Sequence, residues 1–442
     1  MELILSIFGS ANVRWVLAGT MLLGISSGVL GSFVVLRKQS LLGDAMSHAA
    51  LPGICFAFLL TGVKSVGLSM FGAAVTALFG AWAIQFMTRK SRMKQDAALG
   101  IVLSVFFGFG VVLMTLIQNG PYGNHSGLDA YMLGQAASLV DRDVHVLIAV
   151  SLLLLSASFL FFKEFKLLSF DPGFGRGIGF PMGGIEAFLM ILVTCAVVVG
   201  LQAVGVVLMA AMLITPAIAA RYWTERLGVL AVLAGLFGGI SGIAGTLVSA
   251  LGEGLATGPL IVLSATGVFV ISLLFGTRRG LVVTALRQLK VRREDRLRTL
   301  LEAMARDMED QSQSTVTKDA LLALTGWSNH KLNRVTRHAE RLRLITSRKH
   351  LYGFTRQGLN RAYQIVKEER MEQLLLMYDH RFSGWRVARD DPRGLAAALS
   401  PSVVKELEEL METHGLTPRL EASFSGETHV GNVIYEKGAV SK

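Results

Sequence analysis

The sequence predicts an all-α polytopic membrane protein with about eight or nine transmembrane helices, followed by a smaller α+β domain of winged-helix type. Three observations predict it. From residue 13 to residue 275, long apolar runs follow one another with few charges, and about 20 apolar residues span the hydrocarbon core of a bilayer. After Arg278 the chain turns polar and basic. Within that polar part, two short helical patterns precede a hairpin pattern and a longer helix. The formal charge of +11 divides unevenly over the 442 residues: 14 Lys+Arg against 11 Asp+Glu up to Gly276, and 29 against 21 beyond it. A basic tail suits anionic lipid, nucleic acid or an acidic partner, and charge alone does not choose among them.

The spans fall at 14–36, 47–62, 65–87, 96–117, 143–162, 182–202, a short 205–220, 227–251 and 257–276, nine in all with the short seventh counted. Backbone groups in lipid need internal partners, so these are helices. Eleven loop cations between Arg37 and Arg226 fall on one side, and three, Arg14, Lys64 and Arg142, on the other. The positive side is cytoplasmic, which places the amino terminus outside and the tail inside. The first residues, MELILSIFGSANVRW, have no basic n-region and read as a lead into the first span rather than a removable signal.

Glycines crowd two spans: Gly24, Gly28 and Gly31 in the first, and Gly235, Gly238, Gly239, Gly242 and Gly245 in the eighth. Small residues at this spacing let helices approach closely, within one chain or between two copies. Between the first two spans lie Asp44 and His48, four residues apart and therefore on one helix face. A carboxylate and an imidazole there could grip one cation, and ionisable groups at membrane depth mark ion pathways. The spacing equally allows Asp44 to cap the helix and His48 to bond a backbone carbonyl. Pro52 and Gly53 follow one turn later, and Pro216 interrupts the seventh span; broken helices line cavities in transporters, and a plain kink is the other reading.

The outer loop 118–143 carries His125, Asp129, Asp141 and Asp143, without the spacing of a metal site. The loop SFDPGFGRGIGF at 169–180 is short and glycine-rich, and its Asp171–Pro172 pair is a helix-start signal. A brief helix there would suit docking of a cytoplasmic partner. Cys55 and Cys195 both sit in apolar runs, where they read as packing residues. No Gly-x-x-x-x-Gly-Lys-Ser/Thr run occurs, so ATP-driven work would need another subunit. The tail also lacks a Gly-x-Ser-x-Gly elbow and a His-Glu-x-x-His helix, so hydrolytic chemistry is not suggested, and the expectation is a transport subunit rather than an enzyme.

GDAMSHAALPG at 43–53, FKLLSFDP and GIGFP within 165–181, GLQAVGVVLMAAMLITPAIAAR at 200–221 and TGPLIVL at 257–263 resemble the membrane subunits of manganese/zinc/iron ABC importers, in the same order. The resemblance implies the ABC-importer permease fold in the bacterial inner membrane. It implies pairing with a second permease copy or paralogue, a separate ATP-binding subunit, and an extracytoplasmic metal-binding protein. It places Asp44 and His48 on the translocation path of a divalent metal, which is cargo, with no permanently bound cofactor. It also gives the coupling role toward the ATPase to residues 170–179, with Phe170, Asp171, Pro172, Gly173 and Gly179. One carboxylate and one imidazole suit Mn²⁺ or Fe²⁺ and also accept Zn²⁺; manganese leads.

The domains then read as a permease at 1–280, a charged helical linker at 281–298, a winged-helix domain at 299–415 and a tail at 416–442. In the third, VTKDALLALTG and SNHKLNRVTRHAERLRLI form two helices with a short break, SRKHLYGFT a hairpin and RQGLNRAYQIVKEERMEQLLL a further helix. The second helix of such an arrangement enters a DNA major groove. Lys331, Arg334, Arg337 and Arg341 give it cations at three- and four-residue spacing; a solvated basic face on a protein-interaction domain explains them as well. The segment from about 293 to 415, with GLAAALSPSVVKELEEL at 394–410, resembles the metal-dependent repressors of the DtxR/MntR kind. Against that family's metal ligands, Asp295 is retained, while Arg298, Glu369, Gln373, Arg393, Ala396 and Ala397 depart from the pattern. Cationic and methyl side chains hold no Mn²⁺, so metal sensing there is expected to be lost. The leading function is therefore the permease of an ATP-driven divalent-metal importer. The alternative is a membrane-tethered, metal-responsive regulator whose tail binds DNA.

Overall fold

The computed structural model of the protein describes residues 11–62, 66–120, 141–251, 255–311, 313–380, 382, 395 and 399–420. His125 and Asp129 of the outer loop, positions 393, 396 and 397, and residues 421–442 lie outside them. Two compact units emerge, Met1–Ala285 and Leu286–Lys442.

In the first unit the helices are α1 (Ala11–Leu36), α2 (Leu42–Thr61), α3 (Val66–Lys90), α4 (Gln95–Asn119), α5 (Asp141–Leu160), α6 (Phe162–Phe170), α7 (Pro172–Gly177), α8 (Met182–Ala203), α9 (Val206–Arg221), α10 (Leu227–Leu251) and α11 (Thr257–Phe275). Eight are long and apolar enough to cross a membrane. The exception among the expected spans is the seventh, α9, whose 16 residues reach about 24 Å at the α-helical rise, against about 30 Å of hydrocarbon.

Glycine contacts decide how these helices pack. A Cβ on Gly24 would lie 2.3 Å from the Gly238 carbonyl oxygen, and one on Gly28 would lie 2.2 Å from that of Ala234. The backbones of α1 and α10 thus touch along a seam that admits no side chain. A second seam joins α2 to α3, where a Cβ on Gly53 would meet the Gly72 carbonyl oxygen at 2.0 Å. Outward-facing positions are apolar, as lipid requires: Phe79, Trp82 and Phe86 stack along the exposed side of α3.

Of the two readings at the prolines, the broken helix does not form. Both α2 and α9 run through Pro52 and Pro216. A proline removes one rung of the ladder, and the packed neighbours hold the rest of the helix. The discontinuity falls at Gly205, whose φ of 97° and ψ of 161° separate α8 from α9 in a conformation that favours glycine.

Helix α12 (Leu281–Gln311) crosses the boundary between the units, and its residues from Leu297 to Met308 enter the core of the second. That core also takes Leu321, Leu332, Phe354 and Val366. The order continues with β1 (Thr315–Thr317), α13 (Lys318–Thr325), α14 (Asn329–Arg341), β2 (Ile345–Arg348), β3 (Leu351–Phe354), α15 (Arg356–Met377) and α16 (Pro401–Thr413). Thr317, Ser328 and Thr355 cap α13, α14 and α15 through their hydroxyls, which satisfies orphan amides in each first turn. The β2–β3 hairpin turns on Lys349 and His350, with φ of 41° and 70°, as a two-residue turn of this hand demands. Strand β1 pairs with the far edge of β3, so the sheet order is β1-β3-β2, all antiparallel.

Candidate functional site

Helix α2 is the most enclosed of the eight spans, with 78% of its apolar window buried. Leu41 occupies its N-cap position and supplies no side-chain cap; Asp44 lies inside the first turn. The carboxylate is therefore free of the capping role and reaches back along its own face, its Oδ1 3.3 Å from Nε2 of His48. The imidazole side chain is 13% exposed and the carboxylate 32%, so the pair opens to the surroundings on the acid's side. The Nδ1 atom of His48 is buried with no hydrogen-bond partner among the described residues. The carbonyl-bonded histidine that spacing also allowed is thus not what forms.

Two features shape the surroundings of the ring, and the first was not legible in the sequence. Phe107 of α4 stands edge-on to it, with centroids 4.6 Å apart and planes at 73°. Pro52 has no amide to give to the His48 carbonyl four residues earlier, which leaves that oxygen without its usual ladder donor. Cys55, a further turn along, turns its thiol toward the Gly110 carbonyl at 3.8 Å, and Ser47 spends its hydroxyl on Gly43. The donor set at the pair is accordingly one carboxylate and one imidazole, without sulfur.

A charge cluster ties α1, α3 and α8 together. Glu186, a lone acid in an apolar helix, pairs with Arg37, and its other oxygen lies 3.3 Å from Arg89. A carboxylate inside a span was the available signal for it.

The 169–180 loop forms the brief helix that its sequence signals. Asp171 caps α7 by accepting from the Phe174 amide at 2.8 Å, with Pro172 at the first helical position. Phe170, Gly173 and Gly179 flank that turn; Gly179 has φ of 88°, which closes the loop before α8. Phe170 is 60% exposed and Phe174 59%, aromatic surface that this short helix cannot bury by itself.

In the second unit, the four cations of α14 part company. Lys331 lies over the Trp327 ring, 4.6 Å from its centroid. Arg334, Arg337 and Arg341 line a hollow shared with α12. Where the repressor resemblance puts a metal ligand, Glu369 instead pairs with Arg306, which also lies 2.7 Å from Glu302. Burial first, then the Glu369 carboxylate beside it, raises the Glu302 acid above its ordinary value. Asp295, Arg298 and Gln373 are exposed. Among the described residues no three His, Cys, Asp or Glu side chains gather to hold a metal.

Comparison with known proteins agrees with this architecture. Residues 10–276 match the ABC 3 transport family. The manganese transport system membrane protein MntC of Bacillus subtilis is 44% identical over 421 residues, covering 94% of this chain and 95% of that protein. The zinc transport system membrane protein TroC of Treponema pallidum is 46% identical over 291 residues, 66% of this chain and 98% of its own length. Among solved structures, PsaBC from Streptococcus pneumoniae in complex with Fab superposes with a TM-score of 0.56 at 30% identity, covering 66% of this chain and 99% of the matched one. Family match, helical architecture and structural likeness converge: the chain belongs to the ABC 3 transport family, as a multi-spanning membrane permease rather than an enzyme.

Proposed function

We propose that this chain is the permease of an ATP-driven importer of a divalent transition metal, and that Asp44 and His48 bind the ion in passage. The observation that carries this reading is the pairing of the Asp44 carboxylate with Nε2 of His48, open on the acid's side, on the most enclosed span. Two donors 3.3 Å apart, each about 2.2 Å from a shared ion, subtend about 97° there, close to the right angle of octahedral Mn²⁺ or Fe²⁺; at about 2.05 Å the angle opens to about 107°, which suits tetrahedral Zn²⁺. Manganese is the cargo this reading favours, because the relative matching nearly the whole chain is a manganese transport protein. Phe107 would stand at the ring as a wall that limits the ion's water.

Energy would come from a separate ATP-binding subunit seated on residues 170–179, where exposed Phe170 and Phe174 offer an apolar anchor beside Asp171, Pro172, Gly173 and Gly179. An extracytoplasmic binding protein would deliver the metal, and a second permease copy or paralogue would complete the pathway. The loop cations orient the 169–180 loop and the tail toward the cytoplasm. The test is the Mn, Fe and Zn content of cells expressing this chain with its ATPase and binding protein, beside an ATPase-dead partner. A rise in one metal that the dead partner abolishes supports ATP-driven import and names the cargo. If no metal responds in membranes that contain the chain, the reading fails.

A further inference from the structure

Outside the metal path, the second unit holds a concentration of positive charge that the import reading does not use. Arg292, Arg293 and Arg296 of α12 and Arg334, Arg337 and Arg341 of α14 line one hollow of about 540 Å³. His330 and His338 join them, Leu289 and Val335 supply apolar lining, and no carboxylate lines it. An adjoining hollow, which shares Arg293 and His338, adds Lys290, Arg361 and a single acid, Glu294. None of the six arginines makes an ion pair among the described residues; Arg334 meets His330 at 3.0 Å, and Arg337 donates to the Asn333 carbonyl at 3.0 Å. Like charges gathered on two walls repel one another, and the chain has carboxylates elsewhere on the same helix, such as Asp295, that do not turn into the hollow.

We propose that this hollow is a binding site for a small anion carrying two or more phosphate groups. Guanidinium forks recognise phosphate oxygens in pairs, and arginine rather than lysine supplies the lining cations of the larger hollow. Its volume falls within the range of small-ligand sites, about 300–1,000 Å³. Six cations need several negative charges, which a single chloride or orthophosphate does not bring. The geometry disfavours duplex DNA: a recognition helix must offer a free face to a groove about 12 Å wide, whereas α12 lines the same hollow as the basic face of α14. Lys331, the remaining cation of that face, is turned onto Trp327. No Phe, Tyr or Trp ring lines the hollow for a base to stack on, so the phosphates carry most of the recognition.

The test titrates the purified full-length chain, in a neutral detergent and without its ATPase partner, with inorganic tripolyphosphate, ATP, orthophosphate, a short DNA duplex and phosphatidylglycerol vesicles. Saturable one-to-one binding of tripolyphosphate is expected, weakened at least about tenfold by Arg296→Gln with Arg337→Gln, one cation from each wall. Arg356→Gln, an exposed cation outside the hollow, is expected to leave it unchanged. Should the double variant unfold, Arg296→Lys with Arg337→Lys keeps the charge but loses the fork, and hydrogen exchange across α14 reads whether tripolyphosphate still protects it. Tighter binding of ATP than of tripolyphosphate assigns a nucleotide, and equal binding assigns the phosphate chain itself; both uphold the site. The proposal is overturned if tripolyphosphate does not saturate, if Arg356→Gln weakens it as much as the double variant does, or if duplex or vesicle binds through these arginines while tripolyphosphate does not. None of these results bears on metal import.

Discussion

Gly238→Ala is the sharpest test of the membrane packing. The added methyl would sit 2.1 Å from the Gly24 carbonyl oxygen and 2.8 Å from its carbon, both backbone atoms that no rotamer change can move. Ordinary contact begins near 3.4 Å, so α1 and α10 would have to part by more than an ångström along their seam. Overpacking of this kind costs about 1–3 kcal/mol, and a rigid backbone neighbour puts it at the top of that range. At about 2–4 °C per kcal/mol, the apparent Tm in detergent should fall by roughly 6–12 °C. Gly267→Ala supplies the control, because nothing lies within 4 Å of its Cβ position on α11. There the better helix propensity of alanine should hold or slightly raise the Tm. Equal Tm values for the two variants, read by thermal unfolding of the purified protein, would refute the close-approach seam.

Glu186→Gln should destabilise by about 2–3 kcal/mol, less than a fully buried pair because Glu186 is a quarter exposed, and the Arg37→Met, Glu186→Leu double variant should recover most of the loss in the same thermal assay. Phe174→Glu should abolish co-purification of the ATP-binding subunit while leaving the permease Tm unchanged, since that residue is 59% exposed. Burial, then Glu369, raises the Glu302 acid above its ordinary 4.5. Stability from that group is complete below pH 4.5 and is lost as pH rises through the raised value, so Glu302→Gln should flatten the pH dependence of hydrogen exchange in α15 above 4.5. An unchanged pH profile would show that Glu302 does not set it.

Much of this was legible in the sequence because it is local. Apolar length marks the spans, the i,i+4 spacing brings Asp44 to His48, and Asp171–Pro172 starts α7. Ser328 and Thr355 announce two helices of the tail in the same way. What was not legible depends on contacts between distant residues. Nothing in the neighbourhood of Arg37 points to Glu186, 149 residues away. Phe107 is one of many apolar residues in its span until the fold lays it against His48. The prolines left two readings open because a missing amide is a sequence fact, whereas continuation of the helix past it depends on packing; the break falls at Gly205. Strand β1, three residues long, carries too little periodicity to show itself. The α14 cations read as one basic face, and only the structure shows Lys331 on Trp327 and the others opposite α12.

The central claim is that the ion passes between Asp44 and His48. The direct measurement is ATP-driven metal uptake into proteoliposomes holding the reconstituted complex, comparing wild type with Asp44→Ala and His48→Ala. ATP hydrolysis and complex assembly are followed in the same samples. The account predicts that uptake falls by about two orders of magnitude in both variants while hydrolysis and assembly persist, since each variant removes one of two donors and leaves the helix seams and the 170–179 loop intact. Wild-type uptake in either variant would contradict it and move the metal path away from α2.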